Sequence, residues 1–416
     1  MRTTRRDFVK AVGAGAVGAT LIRPSAGAGA PGVAPGKPYD VAVVGSGVFG
    51  AWIAHRLVEA GRRVALLDAY GPGNARSSSG GQTRVIRMAY GDKEIYTRWS
   101  MRSLELWKSA FGKLGRAFFQ PIGVLWMART EDPLTMASLD TLRRLRVNHE
   151  RLERSELTRR WPQIDFGPIT WAIHEPGSGV LMAFHAVQAV VNAAIGMGVD
   201  YLQEQVVPPA GKGRLDALST RSGRTVSAGT YVFACGPWLP KVFPDLLGER
   251  IFPTRQEVFY FGPPAGDGRF RAEAMPVWAD FSEEIYGIPD LRGRGFKVAP
   301  DRHGAEFDPD TGVRVTTPET LAGVRDFVAR RFPALKDAPV VGSEVCQYEN
   351  TSNGDFLIDR HPERDNVWLV GGGSGHGYKH GPAVGEYVAA RILEGGAVEK
   401  QFSLATKERV QKRAVY

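Results

Sequence analysis

The first residues in this chain whose types and spacing could do chemistry are three glycines and an acid: Gly45-Ser46-Gly47-Val48-Phe49-Gly50, then Asp68. They follow an apolar run, Tyr39-Asp40-Val41-Ala42-Val43-Val44. In that setting Gly45 allows a tight turn, Gly47 lets a pyrophosphate approach the backbone, and Gly50 lets a helix pack closely on its strand. Unpaired N–H groups at the helix start then face the phosphates. Asp68 closes a second apolar run, Val64-Ala65-Leu66-Leu67, about where an acidic side chain meets an adenosine ribose hydroxyl. A lone glycine triplet often marks an ordinary turn; strand, loop, helix, strand and terminal acid together specify a dinucleotide site. They do not choose between FAD and NAD.

A second glycine loop makes that choice. Val367-Trp368-Leu369-Val370 runs into Gly371-Gly372-Gly373-Ser374-Gly375-His376-Gly377, and Pro382 suits the first turn of a helix reaching about Leu393. The dipole and backbone donors of this unit could stabilise negative charge on a reduced flavin ring. Glycine loops at opposite ends of one chain favour FAD, which is long enough to touch both. Tyr231-Val232-Phe233-Ala234-Cys235-Gly236 is a further buried strand running into a glycine, a second approach of backbone to nucleotide, with Cys235 a small core residue. Downstream of Asp68, Arg84 and Arg87 are separated by Val85-Ile86 and could aim one guanidinium at the cofactor and the other at an anionic substrate. Taken alone, such arginines are solvated or ion-paired. Lys297 on its own reads as a strand-edge lysine, Cys346 as a core thiol and Lys379 as a solvated lysine.

The elements that must position these residues are those of an α/β protein: a Rossmann-like FAD-binding domain plus a substrate domain built on an antiparallel sheet. The expected division places residues 39–120, 184–247 and 353–416 in the FAD-binding domain, and 121–183 and 248–352 in the substrate domain. Helical spacing over Ala183 to Met197 predicts a helix on the cofactor-binding sheet, and Ser222-Gly223 a hairpin turn. From about Gly248 to Tyr348, strands alternate with Gly/Pro turns and carry aromatics, of which Tyr286 and Trp278 are the candidates for facing substrate. The chain has 416 residues, 43% hydrophobic, with 50 glycines. That is enough for two domains. Its net charge of +9 is too modest and too evenly spread to argue for nucleic acid. No His/Cys cluster has metal-ligand spacing, and two cysteines do not make a disulfide framework.

The first thirty residues read as an address. Thr4-Arg5-Arg6-Asp7-Phe8-Val9-Lys10 resembles the twin-arginine export signal; a weakly apolar segment, Ala11 to Ile22, and small residues from Ser25 to Ala30 follow it. Residues 31–38 serve as a Gly/Pro linker. The apolar segment is too short to span a bilayer, so no stable membrane anchor is expected. The implied partner is the twin-arginine translocation machinery, and the implied location periplasmic or extracellular.

The run Thr83-Arg84-Val85-Ile86-Arg87-Met88-Ala89-Tyr90-Gly91 resembles the monomeric sarcosine oxidase family, which includes N-methyltryptophan oxidase and pipecolate oxidase and belongs to the wider glycine-oxidase/D-amino-acid-oxidase type. The likeness extends through Arg160-Trp161-Pro162, Glu175-Pro176-Gly177-Ser178-Gly179, Tyr286-Gly287, Lys297, Asp308-Pro309-Asp310, Cys346 and Ser374-Gly375-His376-Gly377-Tyr378-Lys379. The resemblance implies that Lys297 lies over the flavin and promotes reaction with O2, that Cys346 carries FAD through a thioether, and that Lys379 joins Arg87 in holding a substrate carboxylate. It implies a monomer that oxidises N-methyl or cyclic secondary amino acids to an imine with release of H2O2. The alternatives are an exported D-amino-acid or proline-type dehydrogenase serving a quinone or carrier, and a non-catalytic flavin-binding protein. The chain departs from the family pattern at Ser78-Ser79-Gly80-Gly81 and at Asp301, positions where histidines are common, with His303 two residues on.

Overall fold

A computed structural model of the chain describes residues 37–280 and 282–412, and the expected export signal lies outside the described residues. From Pro38 on, the chain forms one compact unit built on two large sheets. The first is seven-stranded. Tyr39–Val44 lies at its centre, parallel to Val64–Leu67 on one side and to Thr225–Phe233 on the other. Asp200–Leu202 extends it at one edge, and Arg364–Gly371 with antiparallel Leu357–His361 at the other. The central strands are near-continuous apolar runs because helices cover them. Val41, Ala42, Val43 and Val64 to Leu67 are all 5% exposed or less.

The covering helices are Val48–Glu59, Ala183–Gly196 and Gly381–Leu393, which pack on one another. The first ends at Gly61, whose φ of +73° suits the left-handed residue after a helix. The anticipated Ser222-Gly223 turn joins Ala217–Ser219 to Thr225–Phe233 as an antiparallel pair.

The second sheet is eight-stranded and, apart from one parallel pair between Val124–Ala128 and Val277–Asp280, antiparallel. Its order brings Val340–Thr351, Ile251–Phe261, Phe296–Pro300, Ile285–Ile288 and Val277–Asp280 side by side. Side chains alternate across it, so each strand contributes to two different environments. One face buries Phe259, Phe261, Phe296, Val298 and Trp278 against the helix Pro318–Arg331. The other carries Lys297, Ala299, Tyr286, Tyr260 and Cys346. Tyr348, on the same parity as Cys346, packs against the glycine loop at Gly375.

Here one expectation is corrected. Trp278 does not face the substrate cavity: it is fully buried in the opposite core, 4.9 Å from the Phe332 ring and 5.5 Å from that of Phe327. Its register partner is Gly287, and a Cβ built there would fall 2.2 Å from the indole, so the glycine opens the hole that the ring fills. Val277 and Ala279, one residue to either side, take the cavity face instead.

Candidate active site

A long channel runs from the first glycine loop to the second sheet. It is lined by Gly45, Gly47 and Asp68 at one end, by Ala234, Cys235 and Gly236 beside them, and by Arg84, Cys346, Gly375 and Gly377 at the other. The glycines at its mouth divide by purpose. A Cβ on Gly45 would sit 2.3 Å from the Ala234 carbonyl oxygen, and one on Gly50 1.8 Å from that of Gly45, so both are demanded by the protein's own packing. Gly47 is different: its nearest neighbour would be Ser79 Oγ at 3.5 Å, and its open side faces the channel. The protein alone has no need of a glycine there; a backbone-hugging ligand does. Ser79 Oγ accepts the N–H of Val48, the first residue of the helix, at 3.0 Å.

Asp68 is placed at the channel but with its carboxylate engaged. Oδ2 accepts from the Ser46 N–H at 2.7 Å, and Oδ1 from the N–H groups of Tyr70 and Gly71 at 2.8 Å each. It therefore ties the glycine loop to the end of the second strand.

At the far end the channel joins a smaller cavity, with Arg84, Tyr348, Gly375 and Tyr378 lining both. Arg87, Lys379, Tyr286, Trp126, Val277, Ala279 and Asp301 complete the smaller one. Arg87 and Lys379, 292 positions apart in sequence, thus share one wall. The Arg87 guanidinium lies between two rings, 4.0 Å from the centroid of Tyr90 and 4.6 Å from that of Trp126, and donates to the Ala89 carbonyl. Lys379 Nζ donates to the Tyr90 hydroxyl at 2.8 Å and to the His376 carbonyl at 2.9 Å. Burial drives its ammonium pKa well below the usual lysine range, and the Arg87 charge adds to the effect. The Asp301 and Glu175 carboxylates pull the Lys379 pKa the other way, and an anion bound between Arg87 and Lys379 would likewise favour the ammonium form.

The arginine loop is held by Glu175, which is 1% exposed. Its carboxylate accepts from the Met88 and Ala89 N–H groups at 2.7 and 2.9 Å, from Trp126 Nε1 at 2.9 Å and from Ser178 Oγ at 2.6 Å. Arg84 lies where the two cavities meet. Its guanidinium donates to the Ser78 carbonyl at 2.6 Å and lies 3.2 Å from Cys346 Sγ. Lys297 is 3% exposed, and its ammonium donates to the Thr83 carbonyl at 3.3 Å and to Thr83 Oγ1 at 3.4 Å. Burial, reinforced by the Arg84 charge, lowers its pKa to about 8.

With this geometry in place, the comparisons with known proteins decide the class. The model of the family described as FAD dependent oxidoreductase (DAO) matches residues 40–391. The monomeric sarcosine oxidase of Streptomyces avermitilis is 31% identical over 363 residues, which cover 86% of this chain and 94% of that protein. The chain belongs to the FAD-dependent oxidoreductase family. The N-methyl-L-tryptophan oxidase of Salmonella arizonae is 28% identical over 376 residues, 86% of this chain and 95% of that one. Among solved structures, the fold resembles L-proline dehydrogenase from P. horikoshii (TM-score 0.76, 22% identity, covering 88% of this chain and 97% of that one). It also resembles glycine oxidase from Geobacillus kaustophilus (TM-score 0.73, 21% identity, 89% and 99%). The protein is a flavin-dependent amine or amino-acid oxidoreductase of the sarcosine oxidase type, acting on a CH–NH bond.

The residues of the channel fit the family's FAD. Besides the open Gly47, buried polar atoms point to a missing polar partner: among the described residues Ser78 Oγ and Glu349 Oε2, both on channel-lining residues, have no hydrogen bond. Burial pushes the Glu349 carboxyl up to about 7. Cys235 is a poor nucleophile, since burial raises its thiol pKa strongly. The two cysteines are free.

Sequence reasoning left out several residues of this site. Tyr348 and Tyr90 are separated from their partners by dozens to hundreds of positions, and only the fold brings them together. Glu175 sits inside a quoted motif, but nothing in its local sequence reveals four bonds to the arginine loop and its neighbours. His376 lines the smaller cavity while its ring stacks on Phe356 at 4.8 Å and its Nε2 lies 3.0 Å from the Gly354 carbonyl oxygen. Among the described residues no group of His, Cys, Asp and Glu could hold a metal ion, and no helix is long and apolar enough to cross a membrane.

Proposed function

We propose that this protein oxidises N-methyl or cyclic secondary amino acids, producing an imine and H2O2. The observation that carries the reading is the placement of Arg87 and Lys379 on one cavity that opens, through Arg84 and Gly375, onto the flavin end of the channel. A carboxylate held by those two cations would have its α-carbon turned toward the channel, and fixing it there removes much of the orientational cost of reaction. Tyr286, Val85, Val124, Val277 and Ala279 give the remaining wall an apolar character suited to an N-alkyl group or small ring. When bound, FAD supplies the acceptor for a hydride from that carbon and passes the electron pair to O2.

In this reading Arg84 keeps positive charge at the junction of cofactor and substrate, and Lys297 offers a fixed ammonium where reduction of O2 builds negative charge. Cys346, its sulfur beside Arg84, is the residue to which FAD is attached. Gly45, Gly47, Asp68, Gly236, Gly375 and Gly377 form the cofactor cradle, and Gly50 lets the helix pack against the loop that carries Gly45. The twin-arginine sequence at Arg5 and Arg6 carries the loaded protein out of the cytoplasm, and replacing both with lysine should leave it inside.

The test is anaerobic bleaching of the yellow protein by sarcosine, N-methyl amino acids, pipecolate and proline, followed by readmission of oxygen. Reduction by at least one secondary amino acid with rapid return of colour and one H2O2 per turnover is expected. Fast dye reduction with slow return in oxygen would make it a dehydrogenase. Failure of the whole panel would end the proposal.

A further inference from the structure

The substrate cavity holds a carboxylate as well as two cations. Asp301 follows the strand Phe296–Pro300 and lines the cavity together with Arg87 and Lys379. The Tyr348 hydroxyl donates to its Oδ1 at 2.7 Å. Tyr286 lies on the neighbouring strand, Arg87 and Lys379 line the same cavity and act on it electrostatically, and His303 stands two residues on, its ring 6.5 Å from that of Tyr348. A carboxylate and two basic side chains lining one cavity give it groups of opposite charge. That arrangement complements a zwitterion.

Building on the function proposed above, we propose that Asp301 receives the substrate's ammonium nitrogen and accepts its proton, so that the site selects zwitterionic amino acids over carboxylates that lack an amine. Amino acids arrive at neutral pH with nitrogen protonated, and hydride leaves only from a carbon beside a neutral amine. Asp301 therefore takes one N–H proton: the N–H bond breaks, an O–H bond forms on the carboxyl, and no electron changes hands. Arg87 and Lys379 assist by disfavouring a further positive charge beside them. Burial independently pushes the Asp301 carboxyl up to about 6, against the opposing pull of the Tyr348 hydrogen bond, Arg87 and Lys379. It is thus ionised at neutral pH and closer to accepting a proton than a solvated aspartate.

The experiment uses the flavin-loaded full chain and two readouts. Methoxyacetate keeps the carboxylate and shape of sarcosine but has no N–H; its binding is followed by perturbation of the flavin spectrum. In Asp301→Asn it should bind more tightly by about tenfold or more, the factor that one pKa unit of lost repulsion represents. Stopped-flow reduction by whichever of sarcosine or proline reduces the wild type should retain activity down to about pH 6 in the wild type. In Asp301→Asn it should instead rise with pH as the free amine deprotonates in solution. Tyr348→Phe, which removes the bond favouring the ionised form, should move the acid limb upward by about one pH unit. It serves as the second reading should Asp301→Asn fold poorly. Unchanged methoxyacetate affinity together with unmoved pH limbs in these variants would overturn the assignment. Failure of every amine to reduce the wild type, with normal methoxyacetate binding, would instead overturn the function proposed above.

Discussion

Replacing Lys379 with methionine tests the anion clamp where its energetics are most legible. Methionine keeps the length and apolar stem of lysine while removing a charge that makes two hydrogen bonds, to the Tyr90 hydroxyl and the His376 carbonyl. Both acceptors stay in place: the Tyr90 hydroxyl also lies 2.8 Å from His380 Nε2, and the His376 carbonyl belongs to the glycine loop. The cost to folding should therefore be small, and the loss should fall on ligand binding. A hydrogen bond to a charged group contributes ~1.5–3 kcal/mol, equivalent to about 10- to 150-fold in affinity. Dissociation constants for methoxyacetate, and KM for the reducing amine, should rise by that factor. A second effect follows from the depressed Lys379 pKa. A bound carboxylate stabilises the ammonium and raises that pKa, so binding takes up a proton at pH values between the free and the bound pKa. Wild-type affinity should then fall as pH rises above the free value, with the loss of slope in Lys379→Met. Calorimetric titration in buffers of different ionisation enthalpy measures this uptake directly. A variant that binds methoxyacetate as tightly as the wild type would refute the clamp.

Three further outcomes follow from the same geometry. Lys297→Met should slow reoxidation by O2 about 100- to 1000-fold, the usual scale for removing a preorganised charge-stabilising group, and leave anaerobic reduction nearly intact; in the wild type reoxidation should decline as pH rises through about 8, where the ammonium is lost. Cys346→Ser should release flavin on acid precipitation where the wild type keeps it with the protein, a readout independent of turnover. Trp278→Ala should destabilise the fold by ~3–5 kcal/mol through the cavity it leaves, read from denaturant midpoints. KM should not change, because the indole lies on the opposite side of the sheet from the substrate.

Much of the nucleotide half was legible because its signals are local. A tight turn, a helix start and a buried parallel strand each impose their requirement within a few residues. The helices expected at Ala183 to Met197 and from Pro382 to Leu393 therefore appear at Ala183–Gly196 and Gly381–Leu393. Gly50 could be read for the same reason, since its clash partner, Gly45, lies in the same loop. The substrate wall is different. In an antiparallel sheet the side-chain period is two, and shifting the reading by one residue exchanges core for cavity. Trp278 and Ala279 illustrate this. Nothing in Val277-Trp278-Ala279-Asp280 says which parity faces inward; the answer lies across the strand, where Gly287 leaves a hole for the indole and Tyr286 stands opposite Ala279.

The same reasoning explains how Lys297 and Asp301 come to lie on one side of the sheet. Lys297, Ala299 and Asp301 share one parity of the strand and its end, so they lie on the same side of the sheet, and of the three Asp301 reaches the cavity lining. The strand Val340–Thr351 does the corresponding work two strands away: Cys346 reaches the channel and Tyr348, on the same parity, reaches both the channel and Asp301. Two strands in one sheet thus space their functional groups by even numbers of residues, and the charges of the cavity are set by which polar residues occupy those positions. A one-residue insertion before Asp301 would leave the sheet hydrogen bonds upstream intact yet turn the carboxylate out of the cavity. Asp301 therefore functions as an end-of-strand residue whose direction is determined by Lys297, four positions earlier, and not by its own local sequence.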